Sequence, residues 1–455
     1  MDRDALDLST TNIPRLFRKY FIPTLTGMLS ICLLTAIDGI FVGHGVGSDG
    51  IAAINIMIPI FMLLTGVELM TGAGCTVVAS IHLARGRQKA ARINATQALL
   101  FSTLVALLAT IPAMAFTDHT SRLLGASDHL LPLVSDYMLW LAPSFLLTVW
   151  TTVGPFLIRL DGSPKLVMLS SIITSAINIL LDWLFIFPLH WGVMGAALAS
   201  TISIGIGAII AILYLTRHAR HLRLYRLKMS RKSLRLTLRN ISYQCRIGSS
   251  ALLNETTMAA LMFIGNQVFI HYLGDDGVGA FGIACYYTPF VFMVGNAVAQ
   301  SAQPIISYNH GSRNHHRVRH TERIALQTAL LCGIAVTLAF TLLPTYLTSL
   351  FIDLNTPAAP ISAHGLPYFS AGFIFFILNL TAIGYYQSTE QIKPATLFAL
   401  LRGILFLLPS FILLPRLLGT AGIWLAMPAS ELLTTLSIIL FYLHRRNIKT
   451  YCAPA

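Results

Sequence analysis

Twelve apolar stretches follow one another along this chain, each about the 20 residues needed to cross the hydrocarbon core of a bilayer as a helix. They cover 20–42, 52–73, 98–116, 131–156, 166–187, 193–216, 247–272, 278–303, 324–347, 366–386, 395–414 and 421–443. The pattern predicts an all-α, polytopic membrane protein of about twelve transmembrane helices. Composition agrees, because 11% of the 455 residues are charged, against about 25% in a soluble domain.

The basic residues check the number of spans. When the loops are assigned alternately to two sides, nearly every Lys and Arg falls on one of them. The other side keeps only Arg122 and Arg416, and Arg402 lies inside a span. A miscounted span would destroy that asymmetry. The positive-inside rule then places both termini in the cytoplasm. The net charge of +13 is accounted for by these loops, and no nucleic-acid partner is expected. The six cysteines show no paired spacing, so neither disulfides nor zinc is expected. The opening residues, MDRDALDLST, are acidic and polar, unlike a cleavable signal, and the first span is expected to be retained.

The longest basic segment follows the sixth span. It reads as a connector, 217–240, lying on the anionic cytoplasmic leaflet between an amino-terminal lobe, 1–216, and a carboxyl-terminal lobe, 241–455. The lobes resemble each other. GSDGIAA from Gly47 matches GDDGVGA from Gly274, and ARGRQKAAR from Ala84 matches HGSRNHHRVR from His310. SPKLVMLSSI from Ser163 matches KPATLFALLR from Lys393, and WGVMGAALAS from Trp191 matches LGTAGIWLAM from Leu418. Six spans per lobe make these parallel, pseudo-symmetric repeats. Transporters built so place their site between repeats near mid-membrane and expose it by rocking one against the other.

Five carboxylates lie within or near spans: Asp38, Glu68, Asp182, Glu255 and Glu431. Arg402 is the one cation among them. A charge at membrane depth costs roughly 2.5–3.5 kcal/mol even on the lenient insertion scale, so these side chains are expected to face a protected cavity. An acidic lining attracts cations. Asn178 and Asp182, four apart, share one helix face and offer a charge and an amide oxygen, with Tyr137 and Thr201 as hydroxyl neighbours. Asp38, fifteen positions after Pro23, and Glu255 read as proton or cation sites. Pro23 is expected to bend its helix. Glu68 or Glu431 is the expected partner of Arg402, since a buried charge is normally paired. His310, His315, His316 and His320 read as a solvated basic loop. The aromatic runs at Tyr286–Tyr287 and 373–376 read as packing residues. No nucleotide-binding loop and no hydrolase motif occurs, so no enzymatic activity is expected, and energy must come from an ion gradient or a partner.

These residues resemble the multidrug and toxic compound extrusion (MATE) family. The likeness is carried by Pro23 with Asp38, DGIFVG with GSDGIAA, Asn178 with Asp182, and GAALAST at the start of the sixth span. It covers nearly the whole chain. It implies a two-lobed antiporter of the cell inner membrane that exports organic cations in exchange for H⁺ or Na⁺ and needs no cofactor. It implies further that Asp38, Tyr137, Asn178, Asp182 and Thr201 form the amino-lobe polar network, that Glu255 is a seventh-helix acid, and that Pro23 is a bending point. Were Na⁺ the coupling ion, Asp38, Asn178 and Asp182 would hold it. Asn379 stands in the tenth span, where some sodium-coupled members carry an acid. The expected partners are small organic cations and membrane lipids, around a monomer. The alternative is a flippase for a lipid or lipid-linked saccharide, which would want buried basic residues for its phosphate.

Overall fold

The computed structural model describes residues 7–227 and 230–451, so that Arg3 and Cys452 lie outside it. Among the described residues there is no strand. The first half runs α1 (Ile13–Gly45), α2 (Ser48–Ala84), α3 (Gln88–Ala115), a short α4 (Thr117–Leu123), α5 (Leu131–Leu141), α6 (Ser144–Leu160), α7 (Pro164–Ile186) and α8 (Gly192–Leu213). The second half runs α9 (Arg231–Gly274), α10 (Asp276–Gly311), α11 (His315–Leu342), a short α12 (Pro344–Ser349), α13 (Ala358–Ser370), α14 (Phe373–Ser388), α15 (Ile392–Leu400), α16 (Leu407–Leu418) and α17 (Thr420–Tyr451). Several helices open on proline, at α1, α5, α7 and α12, where the missing N–H has no intrahelical partner to lose.

Ten described helices are long and apolar enough to cross a membrane. The pairs α5/α6 and α13/α14, bent by 53° and 43°, qualify jointly and bring the number to twelve. The fourth and tenth spans are therefore each broken, where the sequence pattern suggested single helices. Leucines such as Leu33, Leu63 and Leu108 are more than half exposed, which suits contact with lipid tails. The chain is a multi-pass membrane protein.

The turns carry the repeat into the backbone. Gly47 and Gly274, matched in sequence, both have positive φ, +96° and +65°, with ψ of −165° and −159°. That corner of conformational space is open essentially to glycine alone. Gly86 and Arg313, Gly162 and Glu390, and Gly192 and Gly419 repeat the positive φ at the later turns. The order of long helices, short helix and bent pair is the same in both halves.

By contacts the chain forms two compact units. One holds the residues up to Leu252 with Pro304–Val318; the other holds Leu253–Gln303 with the residues from Arg319 onward. In the first, α1 packs on α7 and α7 on α8, around a core that includes Tyr137, Phe145 and Ile186. In the second, Phe269, Phe281, Phe369 and Trp424 interlock edge to face and stacked.

The start of the connector is tied to the first unit by Asp161, which follows α6. Its carboxylate accepts from the backbone N–H groups of Arg220, His221 and Leu222 at 2.7–3.0 Å and from the Tyr214 hydroxyl at 2.8 Å. Arg92 clasps the same turn by donating to the carbonyls of Arg220 and His221.

Candidate functional site

Two acids of the first unit, Asp38 and Asp182, have oxygens buried within it. Asp182, one turn before the end of α7, is fully buried, and Asn178 beside it is 2% exposed. Neither carboxylate oxygen of Asp182 has a hydrogen-bond partner, and Oδ1 of Asp38, on α1, is buried in the same state. The two acids feel each other's charge, and the buried ring of Tyr137 lies in the field of both. Three helices, α1, α5 and α7, thus converge on one polar spot. The close packing of α1 on α7 and the four-residue spacing of Asn178 and Asp182 account for the convergence.

Thr201 and Asn178 have other partners. Thr201 donates to the Trp140 carbonyl at 2.8 Å, which ties α8 to the end of α5. The Asn178 amide points to the Ser200 hydroxyl at 3.5 Å. α1 continues as one helix through Pro23, which is buried. Glu255 belongs to the second unit and is half-buried; Asp38, Tyr137, Asn178, Asp182 and Thr201 all belong to the first.

A carboxylate out of water and without a donor is strongly disfavoured as a bare charge. A second acid near enough for its charge to be felt adds to the cost. Binding a proton, a small metal cation or an organic cation relieves it. The chemistry available at Asp38 and Asp182 is therefore reversible cation capture. Among the described residues no three His, Cys, Asp or Glu side chains gather as a metal-binding group.

The second unit holds the opposite arrangement. Arg402 sits on a π-turn, Leu401–Leu405, that interrupts the eleventh span. Its guanidinium donates twice to Glu431 Oε1, at 2.8 and 3.0 Å, and once to Asn254 Oδ1 at 3.2 Å. It also lies 4.3 Å over the Phe376 ring. Asn379 donates to the other Glu431 oxygen at 2.7 Å. Of the two acids that sequence offered as its partner, Arg402 takes Glu431. Glu68 lies in the first unit, where Thr148 bonds it. Sequence reasoning did not single out Asp161, Thr148 or Asn254. Only Asp161 had a signal, as an acid within a basic segment.

Comparison with known proteins fits this frame. The MatE family model matches residues 23–184 and again 251–412, once per half. The chain is 23% identical to the multidrug export protein MepA of Staphylococcus aureus, over 94% of this chain and 93% of that one. It is 24% identical to MepA of Staphylococcus haemolyticus, over 98% and 97%. Among solved structures, a multidrug resistance MATE family transporter of the MOP superfamily in an outward-facing conformation superposes with a TM-score of 0.89 at 21% identity, covering 99% of each chain. A MOP superfamily transporter from Pyrococcus furiosus, described as having a binding pocket of reverse polarity, superposes with 0.87 at 20% identity, over 97% and 98%. With its family signature present in both halves and covering more than half its length, the chain belongs to the MatE family.

Proposed function

We propose that this protein is a secondary antiporter that exports organic cations in exchange for H⁺ or Na⁺, with Asp38 and Asp182 as the shared binding groups. One observation carries the reading. Asp182 is wholly buried and neither of its oxygens is hydrogen-bonded, so it needs a positive guest. Asn178, Tyr137 and Thr201 complete the polar network around these acids; Glu255 offers a further acid in the second unit, and Pro23 gives α1 a place to bend. Relatives that are multidrug export proteins support the same reading. In this account the protein sits in the inner membrane as a monomer with both termini cytoplasmic, its two repeats rocking about the sites.

The cycle alternates occupants. From outside, a proton or Na⁺ binds Asp38 and Asp182 and displaces the organic cation. On the cytoplasmic side the small ion leaves and the next guest binds. A proton entering through ~100 mV and ~1 pH unit yields about 2.3 and 1.4 kcal/mol. Exchange of one proton for one monovalent cation cancels the voltage part and leaves about a tenfold gradient. A second proton would restore it.

A phosphate-bearing substrate, as a flippase would carry, would want a free buried arginine. Arg402, the one arginine that sequence places inside a span, is taken by Glu431, Asn254 and Phe376. The test is ethidium efflux from cells stripped of their own exporters. Asp182→Asn should abolish efflux and resistance; wild-type efflux by that variant would overturn the assignment.

A further inference from the structure

We infer that Glu68 is a second proton-carrying site of this transporter, built from α2 and the hydroxyl face of α6 and separate from the Asp38–Asp182 pocket. The inference rests on the antiport reading above. Glu68 is 2% exposed and lies 20 residues into α2 and 16 from its end. At ~1.5 Å per residue that is about 30 and 24 Å from the two ends, mid-membrane. Its Oε2 has no hydrogen-bond partner. Its Oε1 lies 2.9 Å from the Thr148 hydroxyl, and Thr152, one turn on, also faces the carboxyl. The influences on it are its burial and the hydroxyls of Thr148 and Thr152.

The Thr148 hydroxyl has one proton and two acceptors in reach, Glu68 Oε1 at 2.9 Å and the Phe145 carbonyl at 2.8 Å. A hydroxyl can donate to only one of them. When Glu68 carries a proton, its own O–H donates to Thr148 Oγ, and Thr148 donates to Phe145. When Glu68 is ionised, the Thr148 hydroxyl must turn to the carboxylate and leave the Phe145 carbonyl. Proton uptake thus forms one O–H bond on Glu68, taken from water on the side then open, and release breaks it. Phe145 is in the first turn of α6, just past the 53° bend between α5 and α6. The proton on Glu68 therefore sets the bonding of the turn beside that bend. Ser144, one turn before Thr148 on the same face, adds a buried hydroxyl that, unlike that of Thr148, has no hydrogen-bond partner.

Glu68→Gln keeps shape and polarity but cannot exchange a proton. In proteoliposomes with pH gradient and voltage set, protons and ethidium are counted together for wild type, E68Q and D182N. E68Q should couple about one proton fewer per ethidium than wild type and still bind ethidium. An unchanged ratio in E68Q overturns the inference, as does a wild-type protein driven by Na⁺ alone, which leaves the antiport reading intact. Wild-type coupling in D182N overturns the antiport reading instead, whatever E68Q does. Infrared spectra give a second readout. Purified wild type at neutral pH should show a protonated-carboxyl C=O band that E68Q lacks. Thr148→Val should move that band upward by removing its hydrogen-bond partner, so the proposal stays testable even if E68Q does not fold. A band untouched by either change contradicts the assignment.

Discussion

Gly74 and Gln244 meet backbone to backbone: a Cβ on Gly74 would stand 1.9 Å from the Gln244 carbonyl oxygen. The seam continues at Gly248, whose Cβ would lie 1.8 Å from the Met70 carbonyl oxygen, and at Gly311, 2.8 Å from Ile81 Cα. α2 thus lies against the near ends of α9 and α10, inside the first unit, with no side chain between. The obstructing atoms are backbone and cannot swing aside. Gly74→Ala and Gly248→Ala should each cost about 1–3 kcal/mol by overpacking. If the seam parts in the transport cycle, both variants will also favour the parted state. Thermal unfolding reads the first effect. Thiol labelling of Cys245, beside the seam, reads the second and should speed up; unchanged melting and labelling would show that the seam yields.

Arg402 and Glu431 should be inseparable. Removing either partner leaves an uncompensated buried charge, at a cost of roughly 3–5 kcal/mol. Arg402→Met and Glu431→Gln are each expected to lower expression and melting temperature, and the double variant to recover most of the loss. A double-mutant cycle measures it; additive losses would mean that the pair does not act as a unit.

The amino-terminal turn is held by charge. Arg317 donates to the carbonyls of Leu8 and Thr11, and Asn309 donates to that of Leu8. Within the turn, the Ser9 and Thr10 hydroxyls hold the Asp7 carboxyl down from 3.8 to about 2. A lowered value stabilises the turn above the ordinary carboxylate range, and the gain is lost as pH falls from about 4 to about 2. Asp7→Asn should therefore speed amide exchange at residues 9–12 at pH 7 and make little difference near pH 2. An equal effect at both would remove the charge from the explanation.

Arg313 holds a left-handed turn, φ +61°, where its counterpart in the first half is Gly86. That conformation costs a non-glycine residue roughly 1–2 kcal/mol, and the Arg313 side chain is exposed. Arg313→Gly should raise the melting temperature slightly, while Gly86→Arg should lower it. The paired melts decide.

Much of the fold was legible because membrane spans are written in composition and the repeat in its glycines. Gly47 and Gly274 marked matching turns before any coordinate did. The breaks at 142–143 and 371–372 were marked by Pro143 and Gly372, but the apolar run on either side read as unbroken spans. At the site, the four-residue spacing of Asn178 and Asp182 fixed a shared face, and α1 carried Asp38 to it by packing. The partner of Arg402 could not be read. Glu431 is 29 residues away and Glu68 more than 300, and sequence distance does not decide which helices touch. Thr148 escaped notice because a lone hydroxyl has no pattern of its own.

The decisive measurement is ethidium binding to the purified protein, titrated against pH and then against Na⁺, for wild type and Asp182→Asn. In wild type, acidification or Na⁺ should displace the dye competitively, raising its apparent Kd without lowering the number of sites, and D182N should lose both the affinity and the competition. Dye binding that ignores both ions, or a D182N variant that binds and competes as wild type does, would contradict cation exchange at Asp38 and Asp182.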